Sequence, residues 1–516
     1  MAGGLRRLSA GLPAGLAAGA LALLVLGTLG AVARQAGGFG GLRGSDLGAL
    51  RFTLMQAGAS ALISVALAVP LARAIARRRW PGRQAFVTAL GAPFLMPVIV
   101  AVMALIAVFG RSGALNRGLD ALGLPTLSIY GPQGVVLAHV FLNLPFAARM
   151  ILQGWATIPA ERIRLARSLG FGPAEIARHL ERPMLRAVLP GAVLAVFLVC
   201  LTSFAVAMTL GGGPRATTLE LAIYQAFRFD FDPGRAASLG LLQVALCLAA
   251  LAAAARVARP EPLGAGLEQG RALPAPGGWR RLGDGLAIAL ATLFLLAPLA
   301  AVTARGLAGL ADLPPGIWPA AARSLWVAVG SGVLTLVLAL PLALGVARGG
   351  RGLELAGMLP LVASPLVLGT GLFLLLRPLA APADLALPVT LAVNAALSVP
   401  FALRILIPPA RQLRDDYGRL AAALDLRGLA RLRLLVLPRL ARPLGFAGGV
   451  AAAFSMGDLG VIALFAAPDR ATLPFYLYGL MGSYRLDAAA AAATLLVALT
   501  FALFWAFDQG GRRASA

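Results

Sequence analysis

The chain has 516 residues, 59% of them hydrophobic and 13% charged, with a formal net charge of +24. Charges this sparse cannot cover a soluble protein of such length, where about 25% is usual, and a chain this apolar is not disordered. Two cysteines exclude a disulfide scaffold, and because all 45 basic residues are arginine there is no lysine to serve a phosphate loop.

The fold class that remains is all-α integral membrane. In chain order, runs free of acidic and basic residues cover 8–33, 52–72, 84–110, 121–148, 187–214, 236–255, 285–304, 324–347, 355–376, 385–403 and 488–507, and 443–468 is broken only by Asp458. A span needs about 20 apolar residues, and lipid offers its backbone no hydrogen-bond partner, so each run predicts a helix. About twelve transmembrane helices are expected. The runs are continuous rather than alternating, which argues against a barrel. Arg6 and Arg7 precede the first run. Its length and the lack of a clean small-residue cleavage site read as a retained helix, not a signal peptide. With the N-terminus inside, 32 of the 45 arginines fall in cytoplasmic loops. That asymmetry places both termini in the cytoplasm, and it accounts for the basic excess without nucleic acid.

The chain repeats itself. Asn143-Leu144-Pro145-Phe146-Ala147-Ala148-Arg149 matches Ser398-Val399-Pro400-Phe401-Ala402-Leu403-Arg404 at an offset of 255, and Pro183 matches Pro438. Upstream, Thr53-Leu54 and Pro70 match Ser324-Leu325 and Pro341 at an offset of 271. Residues 1–257 thus form a first six-helix half and 282–516 a second. The Pro- and Gly-rich stretch 258–281 is a cytoplasmic linker. Six spans return the chain to its starting side, so the repeats are parallel, an arrangement found in transporters.

Two loops, 154–184 and 408–439, are too long for turns and too charged to span. In the first, Ile158, Ile163, Leu165, Ala166, Leu169, Phe171 and Ile176 form an apolar stripe between arginines, as short amphipathic surface helices do. Leu413, Leu420, Ala421, Leu424 and Leu429 do the same in the second. Gly170 suits a turn that a side chain would obstruct, and Pro183 and Pro438 suit the start of a helix.

The segment Ala166-Arg167-Ser168-Leu169-Gly170, with Pro183 thirteen residues on, resembles the EAA loop of ABC-importer permeases. Leu420-Ala421-Ala422-Ala423-Leu424-Asp425, with Pro438 thirteen residues on, is its second copy. The glutamate that names the motif falls on Arg164 and Arg419, and the second glycine is Asp425. The resemblance implies MetI-like permease halves whose loops form coupling helices docked on an ATPase subunit, through Ala166, Leu169, Gly170 and Pro183 and through Ala421, Leu424, Asp425 and Pro438.

A narrower resemblance is to permeases of thiamine and thiamine pyrophosphate importers. Thr202-Ser203-Phe204, Leu210-Gly211-Gly212-Gly213-Pro214, Ala216-Thr217-Thr218-Leu219-Glu220 and Ile223-Tyr224-Gln225-Ala226-Phe227 carry it in the first half. Met456-Gly457-Asp458-Leu459-Gly460, Thr472-Leu473-Pro474-Phe475-Tyr476-Leu477-Tyr478 and Gly482-Ser483-Tyr484-Arg485 carry it in the second. The fused permease of ferric-iron importers has the same layout and is the alternative. An ion-coupled secondary transporter would need more buried ionisable groups than one Asp and one His.

The resemblance implies a non-catalytic inner-membrane subunit without a cofactor, working with two ATPase subunits inside and a periplasmic substrate-binding protein outside. Asp458 is the acidic residue inside an expected span, where an ionisable group should face protein or water. Ser203, Gly457 and Asp458 are therefore candidates for the pathway or gate, with a helix cap as the other reading of Asp458. Thr217, Glu220, Tyr224, Tyr476, Tyr478 and Tyr484 are candidates to face the binding protein, although interfacial tyrosines also serve as belt anchors. His139 and Asn394 share one repeat position and read as interhelical hydrogen-bonding groups. Cys200 and Cys247 read as small packing residues. No metal-ligand cluster stands out.

Overall fold

The computed structural model describes residues 2–38, 41–91, 95–211, 213–257, 278–465 and 470–515. The first half contains α1 (Ala2–Ala36), α2 (Gly44–Arg77), α3 (Val98–Phe109), α4 (Pro132–Ala156), α5 (Ala160–Ser168), α6 (Arg182–Leu201), α7 (Leu219–Arg228) and α8 (Pro233–Val257). The second contains α9 (Trp279–Ala308), α10 (Ile317–Ala347), α11 (Pro365–Leu376), α12 (Pro382–Ala423), α13 (Leu437–Met456), α14 (Leu473–Gly482) and α15 (Leu486–Ser515). No strand occurs among the described residues. Among the described residues, eleven helices are long and apolar enough to cross a membrane, or twelve if one bent pair counts as a span. Of the expected linker 258–281, residues 258–277 lie outside the described residues, and Trp279–Arg281 already belong to α9.

Three expected spans are broken. In 84–110, a short helix, Arg83–Ala89, is followed by α3, which starts after Pro97. In 355–376, Arg351–Val362 and α11 meet at 92°. Proline supplies no N–H and pushes the residue before it out of helical conformation. Ser364, just before Pro365, is extended, and its Oγ accepts from the Val367 amide at 3.2 Å, which starts α11 afresh. In 443–468, α13 stops at Met456 and a short helix, Gly460–Phe465, follows.

Each half is built on three mutually packed helices, α2, α4 and α6 in the first and α10, α12 and α13 in the second. The first helix of each half crosses to the other. α1 packs on α10 and α11, and α9 packs on α2 and α3. Ala17 and Leu21 of α1 accordingly lie in one apolar cluster with Ala339, Leu342 and Ala343 of α10. Arg78, just beyond α2, bonds Asp284 of α9 at 2.7 Å. Small residues permit the closest crossings. A Cβ on Gly445 of α13 would lie 2.5 Å from the Phe507 carbonyl oxygen of α15, and one on Gly511 of α15 would lie 2.5 Å from the Ala441 carbonyl oxygen of α13.

The repeat also shows in polar contacts. The Leu219 amide donates to Thr53 Oγ1 at 2.8 Å and the Leu473 amide to Ser324 Oγ at 2.7 Å, fastening α7 to α2 and α14 to α10 at matching positions. Deeper in the halves, Ser60 Oγ lies 3.5 Å from His139 Nδ1, while Asn394 donates to Ser455 Oγ and Ser455 to Ser331 Oγ, both at 3.0 Å. His139 and Asn394 are thus interhelical hydrogen-bonding groups. Cys200 and Cys247 are buried free thiols.

Candidate functional site

The helix breaks create a recess between the halves. Its volume is about 370 Å³, within the range of small-molecule sites. The first half contributes Met96 and Pro97 before α3, His139, Asn143 and Phe146 of α4, and Thr202, Ser203 and Phe204 after α6. The second contributes Pro365, Phe401, Phe454, Gly457, Asp458 and Gly460. Several walls are repeat partners at the offset of 255: Phe146 with Phe401, Thr202 with Gly457, and Ser203 with Asp458. The recess therefore straddles the pseudo-twofold relation between the halves. It brings together Ser203, Gly457 and Asp458, the three pathway candidates. Sequence reasoning had Phe146 and Phe401 only as markers of the repeat. Their shared position beside the span breaks was the signal that could have placed them here.

Both readings of Asp458 have support in the geometry. Oδ1 accepts from the Gly460 amide at 3.2 Å, which starts the short helix after the break. The Asn394 side chain and the Leu459 and Val461 amides also bond this carboxyl, and the recess lining brings it beside Ser203; His139 Nε2 is buried without a hydrogen-bond partner among the described residues. Gly457 is required by close approach, since a Cβ there would come within 2.9 Å of Pro97 Cα in the other half.

The two coupling-loop candidates end alike. The Phe171 amide donates to the Ala166 carbonyl and the Leu426 amide to the Ala421 carbonyl, both at 2.9 Å. These are the long bonds of a Schellman turn. Gly170 takes φ +75° and Asp425 φ +51°, so Asp425 occupies the left-handed position that glycine holds in the first copy. Asp425 is also ion-paired with Arg427. Ala166 and Ala421 are buried. Leu169 and Leu424 are 63% and 60% exposed, and Leu165 and Leu420, one turn earlier, are also exposed. Each copy thus presents two leucines on one outward stripe. Pro183 and Pro438 sit in the first turns of α6 and α13, each just after a π-turn, Ala177–Glu181 and Leu432–Val436. Arg164, at the glutamate position of the motif, bonds Glu161 at 3.3 Å.

The six residues expected to face a binding protein separate. Tyr484 is 89% exposed, with φ +58°, and Thr217, Tyr476 and Tyr478 are half-buried. Glu220 and Tyr224 are corrected: both are buried, so neither belongs to an outer surface. They lie on the inner face of α7, which packs on α2, α8 and α11. The Tyr224 ring meets Phe204 edge-on at 5.3 Å. Burial pushes the Glu220 carboxyl up to about 8 and raises the Tyr224 and Tyr478 hydroxyls above their ordinary value. Among the described residues, no group of His, Cys, Asp and Glu could hold a metal ion.

Two spanning bundles related by a repeat, a recess on their shared axis and two matching surface turns define the membrane component of a transport system. Residues 64–259 match the family model of the binding-protein-dependent transport system inner membrane component. Among curated proteins, the chain is 42% identical over 480 residues to the thiamine transport system permease protein ThiP of Salmonella typhimurium, covering 90% of this chain and 89% of that one. It is 41% identical over 474 residues to ThiP of Escherichia coli, covering 89% and 88%. It is 40% identical over 515 residues to ThiP of Brucella abortus, covering 96% and 94%. The chain belongs to the family of thiamine transport system permeases, multi-pass inner-membrane proteins that are not themselves catalytic.

Proposed function

We propose that this chain forms the translocation path of an ABC importer for thiamine and its phosphate esters, without a cofactor of its own. Two ATPase subunits dock on the α5 turn around Leu169 and Gly170 and on the α12 end around Leu424 and Asp425. A periplasmic binding protein delivers substrate at the opposite face, where Thr217, Tyr476, Tyr478 and Tyr484 remain accessible. Both termini then lie in the cytoplasm, on the side of the arginine-rich loops. Closure of the ATPase dimer moves the two halves about the recess and exposes it alternately to each side. The observation that carries this reading is the near full-length likeness to ThiP proteins, joined to the recess on the repeat axis.

The test is uptake of labelled thiamine by a bacterium lacking its own importer, with this chain co-expressed with an ATPase and a binding protein from the same genome. Energy-dependent uptake is expected, and bulky residues at Gly170 and Asp425 together should abolish it. A complex that assembles and hydrolyses ATP yet imports no thiamine would refute the substrate and point to iron.

A further inference from the structure

The two halves differ on the face away from the coupling-loop turns. Only residues 377–381 join α11 to α12, whereas 110–131 lie between α3 and α4. The longer connection is a built hairpin. Its outgoing arm is a short helix, Ala114–Ala121, and Asn116 on that helix is 1% exposed. Asn116 Nδ2 donates to the Gly110 and Leu127 carbonyls and its Oδ1 accepts from the Leu127 amide, all at 2.8 Å. One side chain thus uses its donors and its acceptor to hold both arms together. What the hairpin displays is apolar. Leu115, Leu119 and Leu122 stand at the i, i+4, i+7 spacing of one helix face, and Leu124 and Leu127 follow on the returning arm. Leu122 is 74% and Leu127 59% exposed, and Leu115 and Leu124 are exposed as well. Arg117 is exposed on the other side of the short helix, and at the base of the hairpin Arg111 lies over the Tyr130 ring at 6.0 Å. An ordered, contiguous apolar patch marks a contact with membrane or protein.

The height of the hairpin decides between them. His139, Asn143 and Phe146 of the recess stand near the middle of the 25-residue α4, which puts the recess near mid-span. From Pro97 in the recess wall, the twelve residues of α3 rise about 18 Å to the hairpin. The start of α4 at Pro132 stands about 16 Å above Asn143. Half the hydrocarbon core of a bilayer is about 15 Å, so both roots of the hairpin reach the level where acyl chains meet headgroups. The hairpin also stands over the perimeter: α3 packs on α9 and α15, two helices that the protein leaves largely unburied. Arginine and tyrosine suit that level, and an apolar face opposite a basic one suits a helix lying in it.

We propose that the 114–127 hairpin is a membrane-surface anchor, its leucine stripe seated in the acyl–headgroup boundary of the leaflet away from the coupling-loop turns and its Arg117 side turned to water. The partner is lipid. The anchor belongs to the first half alone, and it holds that half at the point where α3 and α4 leave the recess. The short 377–381 connection gives the second half no such hold.

The test uses the whole chain in nanodiscs of phosphatidylethanolamine and phosphatidylglycerol. Leu122→Cys, Leu124→Cys and Arg117→Cys are each labelled with an NBD fluorophore, the native Cys200 and Cys247 being buried. Two quenchers are compared: a lipid with a doxyl group high on its acyl chain, and aqueous iodide. The labels at 122 and 124 should emit blue-shifted light, be quenched by the doxyl lipid and resist iodide. The label at 117 should show the reverse order. Iodide quenching at 122 and 124 as strong as at 117 overturns the proposal, because the stripe then faces water. Shielding of 122 and 124 from both quenchers also overturns it, since protein then covers the stripe. So does resistance to iodide that appears only when a soluble substrate-binding protein is added, which would assign the patch to that protein.

Discussion

Glu181 anchors the start of α6 to α2, and its removal should be costly. It accepts from Arg77 Nη2 at 2.7 Å and Arg73 Nη2 at 2.9 Å, with Glu181 2% and Arg77 8% exposed. Deleting one partner of a buried ion pair costs about 3–5 kcal/mol, because the other charge is stranded. Arg73, 37% exposed, adds only the 0–1 kcal/mol or so of a surface pair. The low end, about 3 kcal/mol, follows for Glu181→Val, or about 100-fold in the folded-to-unfolded ratio. The second half provides a built-in comparison. At the repeat positions of Glu181, Arg73 and Arg77 stand Val436, Leu344 and Arg348, and Val436 and Leu344 pack in one apolar cluster. Arg73→Leu with Glu181→Val should therefore recover part of the loss. Equilibrium unfolding in mixed micelles, followed by tryptophan fluorescence, reads both. A Glu181→Val protein no less stable than Arg73→Leu would refute the assignment of the anchor.

Three further outcomes follow from the same geometry. Gly170→Ala should cost about 1 kcal/mol, because a Cβ is disfavoured in the left-handed region, and Asp425→Gly should raise stability by a similar or smaller amount; thermal unfolding of each variant in detergent checks both signs. Because burial raises the folded-state value of Glu220 to about 8 from 4.5, its contribution to stability is full below about pH 4.5 and is lost as pH rises through 8; Glu220→Gln should flatten that part of the stability–pH curve, and an unchanged slope would refute the buried placement. Gly445→Val should lower stability by about 1–3 kcal/mol or more, since the α13–α15 crossing leaves no room for a side chain, and Gly479→Val, where nothing lies within 4 Å of the added Cβ, is the control in the same unfolding assay.

The apolar runs carried the architecture openly, because a membrane span must be written as a long stretch without charge. What they hid was discontinuity. Residues 84–110 and 355–376 read as unbroken spans, yet one helix stops at Ala89 and another starts after Pro97, and a fresh helix starts at Pro365. Hydropathy is blind to a bend at proline, and the recess is made by those bends. Asp458 was legible as a site candidate because a charge in an apolar run stands out. Phe401 and Phe454 were not, since a phenylalanine in a span resembles any packing residue. Glu220 misled for the opposite reason: an acidic residue between spans reads as solvated, and only the packing of α7 on its neighbours shows it covered. The exchange of α1 and α9 between halves was also invisible, because contacts between distant segments leave no local pattern.

The two matching surface turns, at Gly170 and Asp425, are carried on different mechanical mounts. In the first half, α4 stops at Ala156, and Thr157–Pro159 intervene before α5. In the second, α12 runs without interruption from Pro382 to Ala423, 42 residues and about 63 Å of helix. Arg414, which takes the place of Pro159 in the repeat, also ties α12 to the Ala347 carbonyl at the end of α10. With ATPase subunits docked as proposed, a push at Gly170 would be received across the Thr157–Pro159 joint. A push at Asp425 would instead enter a continuous helix and run past Pro408 and Pro409 to Phe401 in the recess wall. Two like pushes would thus reach the recess by different routes, one across a loop and one along a helix.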